Sequence, residues 1–401
     1  MKIKVVHVPC IKTPIAACPG FAKKKLADFK LDLSARCGFG CLYCSSDETK
    51  YMRTHREQFA ALTEEQLGRR ILPKEDPSLM FVWPDIPERL DNQLSGKSKR
   101  FGAGSTLVFS MLTDGFSPAM LGRELPRPGL FDPAGMPVLP PHETVAGRAV
   151  LRVIDRTSFR IRVLTKNAIV GTEPWIDFFA QHRDRFVIGL STGTLNDSWA
   201  RRIELGTSLP TERLAALANL QAAGLATFGM LCPVFPDVLG GNSLESMLDS
   251  ISSSCVEHLW AEPFNDRNNW QAVRKGYSTE SFGYSWLTDV FEYRRTAIWS
   301  RYATELYVRL RTKAEREGWL SKLRFLLYEG LITPEDAPRF SGLEAVLLQS
   351  KPDENGKSRN PHIAALQLGE PEANTRSGNY LRQSEMMPRA PHDMCHLGQG
   401  R

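Results

Sequence analysis

Apolar and polar positions follow two spacings along this chain. Short, nearly continuous apolar runs at residues 26–33, 105–112, 159–164, 186–190, 226–232 and 257–260 fit buried strands. Between them lie helix-length segments at 142–155, 173–182, 211–223 and 244–253, as with Leu214, Leu217 and Leu220 on one stripe. Their ends carry matching signals. Pro174 suits a first helical turn. Gly224 stops the 211–223 segment. Asn242 or Ser243 caps the segment that starts at Leu244. Strands separated by helices predict right-handed crossovers and a parallel sheet. Six such strands are too few to close an eight-unit barrel, so an open, partial α/β barrel is expected.

The pattern also predicts how the chain is organised. Residues 1–25 read as an N-terminal arm, 26–265 as the barrel and 266–330 as a helical extension. Residues 331–401 read as a polar C-terminal segment, partly disordered, with Pro and Gly throughout from Lys351 onward. Residues 46–104 form a long insertion between the first two strands. Residues 115–141, rich in proline and glycine, read as an ordered loop over the strand ends. One long helix is expected at 289–317, with Ile298, Tyr302, Leu306 and Leu310 on a core-packing stripe.

With 42% hydrophobic and 24% charged residues in 401, a sizeable core is expected. Eight cysteines in this length do not suggest a disulfide scaffold. No signal peptide and no membrane-spanning run is read, so the expected compartment is a reducing cytoplasm and no membrane partner is expected. The net charge of +6 is too mild to mark a nucleic-acid binder. Local clusters are more pointed: Lys23–Lys25, then Lys97, Lys99 and Arg100, then Arg148, Arg152 and Arg156 at helical spacing. Such runs also fit ordinary solvated faces.

The first strand, 26–33, is expected to lead straight into the run where the chemistry is concentrated, Cys37-Gly-Phe-Gly-Cys41-Leu-Tyr-Cys44. Three thiolates this close can hold three corners of an iron–sulfur cube and leave one iron open. A zinc site is the competing reading, with His55, Cys18 or Cys10 as fourth ligand. The spacing, with the aromatic Tyr43 before the third cysteine, resembles the signature of the radical S-adenosylmethionine (SAM) enzymes. That resemblance implies a TIM-like partial (βα)6 barrel and a [4Fe-4S] cluster on Cys37, Cys41 and Cys44. It implies SAM on the open iron, reductive cleavage to methionine and a 5′-deoxyadenosyl radical, and an electron donor such as flavodoxin or ferredoxin.

In such folds function collects at the C-terminal ends of the strands. The predicted strands run into Thr113-Asp114-Gly115, Thr165-Lys166-Asn167, Ser191-Thr192 followed by Arg201-Arg202-Ile203-Glu204, the 232–236 run, and Glu262 to Arg267. This series is similar to the spore photoproduct lyase-like branch of the family. The resemblance implies that Tyr43, Thr113, Asp114, Lys166, Ser191 and Glu204 position SAM; Asn167 departs from the branch's motif. Taken singly, Lys166 fits a surface lysine and Glu204 an ion pair with Arg201 or Arg202. Asp114 fits turn chemistry and Glu262 a rim residue.

One departure matters. The branch's lyase uses a cysteine as hydrogen donor near the second strand end, and residues 110–114 here hold none. The expected function is therefore a radical SAM enzyme of lyase-like or modifying type, with nucleic acid as first substrate class and a peptide or small molecule as second. A metal-stabilised binding module without SAM chemistry is the reading of another class. Gly102-x-Gly104 lacks a dinucleotide loop's third glycine and precedes a strand. His392, Cys395 and His396 form a weak tail-metal pattern, and Cys10 and Cys18 fall short of a second cluster.

Overall fold

The computed structural model describes residues 3–9, 12–122, 139–265 and 268–368. Cys10, Asp266, Arg267, His392, Cys395 and His396, and most of the 115–141 loop, lie outside the described residues. Strands are numbered along the chain and fall into two sheets. The small sheet orders β1 (Lys4–His7), β5 (Leu79–Val82) and β4 (Ser34–Cys37). The large one runs β2 (Ile15–Ala17), β3 (Phe29–Leu31), β6 (Thr106–Phe109), β7 (Arg160–Thr165), β8 (Phe186–Ser191), β9 (Thr227–Val234), β10 (Leu259–Pro263), β11 (Leu323–Leu327) and β12 (Val346–Leu348). From β3 to β12 every neighbouring pair is parallel, and only the β2–β3 pair is antiparallel.

The parallel arrangement follows from the apolar runs. A strand buried on both faces needs side chains of low polarity at successive positions. On β7, Ile161 and Val163 belong to the main core, while Leu164 joins a second cluster with Val187, Phe228, Met230, Trp260 and Leu326. Leu26 completes that second cluster and Phe21 packs on it. Residues 18–26, with the short helix Pro19–Lys23, therefore cover one face of the sheet, and crossover helices cover the other. The inner face also buries Arg162, whose guanidinium lies 4.7 Å from the Trp260 ring and donates to the Leu26 carbonyl.

This segment fixes the shape of the sheet. It leaves β2 at one end of the strand order, yet Lys23 Nζ donates to the carbonyls of Gln349 (3.2 Å) and Ser350 (2.7 Å), just past β12 at the other end. Nine strands laid flat would separate those ends by roughly 38 Å at about 4.8 Å per gap. Six residues reach at most about 21 Å even when extended. The sheet must curl until its two ends approach.

All six expected strands are present, and four of the expected helices appear as Val145–Arg156, Glu173–Gln181, Pro210–Ala222 and Ser243–Ile251. Three points differ. The first strand does not run straight into the cysteines: the chain leaves β3 at Leu31 and forms β4, which pairs antiparallel with β5 of the insertion. The large sheet gains β11 and β12, so eight strands are mutually parallel where six were expected. The long C-terminal helix starts at Thr296, because residues 288–292 form a separate wider turn; Tyr302, Leu306 and Leu310 are buried as expected. No described helix is long and apolar enough to cross a membrane.

Gly189 on β8 exists because of its neighbour on β9. A Cβ there would lie 2.6 Å from the Phe228 ring. Gly189→Ala should cost about 1–3 kcal/mol in urea unfolding, by overpacking. Combined with Phe228→Ala, itself worth about 3–5 kcal/mol, the double variant should lose clearly less than the sum of the two single losses. Simple additivity would show that the two positions do not share space.

Candidate active site

Cys37 ends β4, and Cys41 and Cys44 follow in a tight loop. Gly38 and Gly40 take φ of +71° and +66°, which glycine enters without steric cost. A Cβ on Gly38 would also lie 2.9 Å from Met80 Cβ, so the loop can lie flat on β5 only with glycine there. Arg36 braces it from behind, donating to the Asp47 carboxylate (2.9 Å) and to the carbonyls of Asp76 (2.9 Å) and Leu79 (2.7 Å).

The loop is stitched to the segment after the Asp197–Ile203 helix. The Leu42 amide donates to the Ile203 carbonyl and the Gly206 amide to the Phe39 carbonyl, both at 2.8 Å. Cys41 and Glu204 form an antiparallel bridge. The Glu204 side chain then gathers the predicted residues. Its carboxylate accepts from the Tyr43 hydroxyl, from Lys166 Nζ at 2.9 Å and from the Arg213 guanidinium. Lys166 Nζ also donates to Ser191 Oγ at 3.1 Å, and that hydroxyl donates to the Cys232 carbonyl at 3.1 Å. Arg213 donates to the Ser191 carbonyl at 2.6 Å. Glu204 does not pair with Arg201 or Arg202; Arg202 Nε donates to the Gly276 carbonyl at 2.7 Å instead.

Burial would push the Glu204 carboxyl up, but Arg213 and Lys166 beside it hold it down to about 2. Within this group of three, two cations and one carboxylate leave one excess positive charge, which Lys166 carries to a cavity wall that it shares with the Asp114 carboxyl. Asp114 does a different job. It accepts from Thr165 Oγ1 (2.8 Å) and from the amides of Lys166 (2.7 Å) and Phe116 (2.9 Å), tying the ends of β6 and β7 together. Burial nonetheless raises its carboxyl to about 6. Thr113 Oγ1 donates to the Ser34 carbonyl at 3.2 Å. Of the predicted set, Tyr43, Lys166, Ser191 and Glu204 thus form one network, while Thr113 and Asp114 hold strand ends.

A cavity of about 290 Å³ opens beside them. Cys37, Cys41 and Cys44 line it with Tyr43, Thr113, Asp114, Lys166 and Ser191; Glu204 lies behind the wall and acts through Tyr43 and Lys166. Burial pushes all three thiols up, Cys37 to about 12, with the other acidic groups nearby adding to it. Such thiols become ligands only by giving their protons to solvent as a metal cation replaces them. His55 Nδ1 lies 2.9 Å from the Tyr51 carbonyl, and among the described residues no three His, Cys, Asp or Glu converge as ligands of a single ion.

Arg213 is the functional residue that the sequence reading missed. It is fully buried, and its position shares a helical stripe with Leu217 and Leu220. A charged residue on an apolar stripe is a readable signal for a buried ionic partner. Ser110, Lys24, Cys232 and Glu262 also line the cavity.

No family model and no curated protein matches the chain. Solved structures are similar to it: a spore photoproduct lyase variant with bound AdoMet and dinucleoside spore photoproduct is 15% identical, covering 68% of this chain and 66% of that one, with a TM-score of 0.39. Spore photoproduct lyase complexed with dinucleoside spore photoproduct gives 14%, 68%, 66% and 0.38. Native anSMEcpe with bound AdoMet and Cp18Cys peptide gives 10%, 72%, 61% and 0.35. The chain therefore matches just under two thirds of the length of the lyases. At these TM-scores the likeness carries no argument about function.

Removing the Glu204 charge strands two cations. Glu204→Gln should cost on the order of 3–5 kcal/mol at pH 7, read by urea unfolding. Because the folded carboxyl titrates near 2, below its ordinary value of 4.5, its stabilisation is complete above about pH 4.5 and lost as pH falls towards 2. The gap between parent and variant should therefore narrow over that window. A gap unchanged between pH 7 and pH 2.5 would show that the carboxylate's charge is not what the pocket uses.

Proposed function

We propose that this chain is a radical SAM enzyme, with Cys37, Cys41 and Cys44 holding a [4Fe-4S] cluster at the cavity wall. In this reading the sheet from β3 to β10 is a partial (βα)6 barrel, extended by β11 and β12. The observation that carries the proposal is the convergence on one cavity of three thiols, an excess positive charge at Lys166, and the hydroxyls of Tyr43 and Ser191. The donor set suits the group. Three thiols can each take a separate iron corner, which does not require them to converge on a single ion.

When bound, the cluster and SAM supply the electron and the radical chemistry. The chain supplies the rest. Lys166 is the residue suited to a carboxylate, because Glu204 and Arg213 hold its ammonium in place without cancelling the local positive charge. Ser191 and Tyr43 offer hydroxyls for the polar groups of the ligand. Phe39 and Phe264 and the apolar side chains Leu164 and Met230 keep water away from the reacting bond.

Nucleic acid was the first substrate class expected, and two of the three basic clusters behind that expectation lie away from the cavity. Lys97, Lys99 and Arg100 precede β6, at the strand end opposite the site. Arg152 is paired with Asp91 at 2.8 Å and Arg148 donates to the Glu143 carbonyl at 3.1 Å, on a crossover helix. Lys23 donates to the 349–350 carbonyls, and the lone Lys24 faces the cavity with Glu262 at 3.9 Å, too little to track a phosphate backbone. These placements favour the second class, a peptide or small molecule.

Two measurements test the reading. Anaerobically reconstituted protein should hold about four irons per chain and convert SAM to 5′-deoxyadenosine under a strong reductant. Cys41→Ala should lose both, and Lys166→Met should weaken SAM binding about tenfold or more with iron content unchanged. Stoichiometric zinc without iron would sink the proposal. Separately, DNA and RNA should bind no tighter than non-specifically, and replacing Arg148, Arg152 and Arg156 together by alanine should leave the salt dependence of that weak binding unchanged within about one phosphate contact. Tight binding whose salt slope collapses in the triple variant would restore the nucleic-acid class.

A further inference from the structure

The cavity has a second polar wall that the SAM residues do not use. It is built by the segment that bridges the sheet ends. Lys24 follows the Pro19–Lys23 helix, its backbone fixed where its carbonyl accepts from Trp260 Nε1 at 2.9 Å. Its side chain is only 18% exposed and lines the cavity. Its ion partner, Glu262, stands 3.9 Å away, beyond hydrogen-bond length. Glu262 is held there because its other oxygen accepts from the Tyr328 hydroxyl at 2.7 Å. Among the described residues no acceptor lies within hydrogen-bond distance of the Lys24 ammonium. A largely covered ammonium on a cavity wall, with its carboxylate partner beyond hydrogen-bond length, has donors to offer an anionic ligand.

Ser110 is the second observation. It directly follows β6 on the same cavity, 3% exposed, with φ of +71°, a conformation that a non-glycine residue keeps only when its surroundings enforce it. Its Oγ has no hydrogen-bond partner among the described residues. Gly115 makes the placement possible, since a Cβ there would fall 2.1 Å from that oxygen. Between Lys24 and Ser110 the wall is Phe21, Met111, Leu164 and Met230. Such a surface accepts an apolar body carrying one anionic group and one hydrogen-bonding group.

We propose that Lys24 and Ser110 form the substrate subsite, and that the substrate is a small organic anion, a carboxylate or a phosphate ester with an apolar body. The chemistry done to it rests on the radical SAM reading; its binding does not. Lys24 takes the anionic oxygens, Glu262 holds the lysine off any other partner, and Ser110 bonds the substrate's polar group.

Cys232, on the same wall and within electrostatic reach of both Lys24 and Glu262, reports on the subsite. Anaerobically reconstituted protein is alkylated with iodoacetate and, separately, with the neutral iodoacetamide, and labelling of Cys232 is followed by peptide mass spectrometry. Thiol basicity affects both reagents alike, so the rate ratio isolates attraction of the anion. The iodoacetate-to-iodoacetamide ratio at Cys232 should exceed that of N-acetylcysteine about tenfold. Lys24→Met should bring it down to the free-thiol ratio, and Lys24→Arg should keep it. Protection of Cys232 at lower concentration by inorganic phosphate than by acetate would assign the phosphate ester, and the reverse order the carboxylate. An equal ratio in the parent and Lys24→Met, or no labelling of Cys232 by either reagent, overturns the subsite. Iron content and SAM cleavage are read on the same preparation: a protein with the ratio but no iron keeps the subsite and loses only the radical reading.

Discussion

The site depends on one buried carboxylate with two cations. Glu204 is anchored by its backbone to Cys41 and by its side chain to Tyr43, Lys166 and Arg213. It therefore joins the cysteine loop, the end of β7 and a crossover helix in one electrostatic unit. A carboxylate so placed would be expensive alone, and each cation would be expensive without it. The cost is met only when all elements are in register. The unit explains why Lys166 points at the cavity with a net positive charge to spare.

The curled sheet is the second constraint. Residues 18–26 run from one end of the strand order to the other, fill one face with Leu26 and Phe21, and deliver Lys24 to the cavity. The same segment closes the fold and shapes the ligand space. The cysteine loop, by contrast, stands on the small sheet and reaches the large one through Glu204. Two sheets thus meet at the cavity, with the thiols on one side and the strand ends on the other.

Much of this was legible in the sequence. The cysteine run pointed to metal chemistry, and the apolar runs located β3 and β6 to β10 because strands buried on both faces are written as continuous apolar stretches. Lys166, Ser191 and Glu204 were singled out by the resemblance of the strand ends to the lyase-like branch, and the structure brings the three together. What escaped has physical reasons. β4 is short and pairs with a strand of the insertion, a contact that no local pattern encodes. β11 and β12 follow a long helix and irregular turns, which hide the alternation. Lys23 and Lys24 read as a solvated run, since composition does not tell which charge finds a buried partner. Arg213 was hidden in a stripe otherwise read as core.

The central claim is that Cys37, Cys41 and Cys44 would hold an iron–sulfur cluster and that Lys166 would help to bind SAM beside it. Electron paramagnetic resonance of the dithionite-reduced, reconstituted protein tests it most directly. The account predicts a reduced-cluster signal whose g-values shift when SAM is added, with a shift that needs markedly more SAM in Lys166→Met. A signal indifferent to SAM in the parent protein, or no paramagnetic cluster at all, would contradict it.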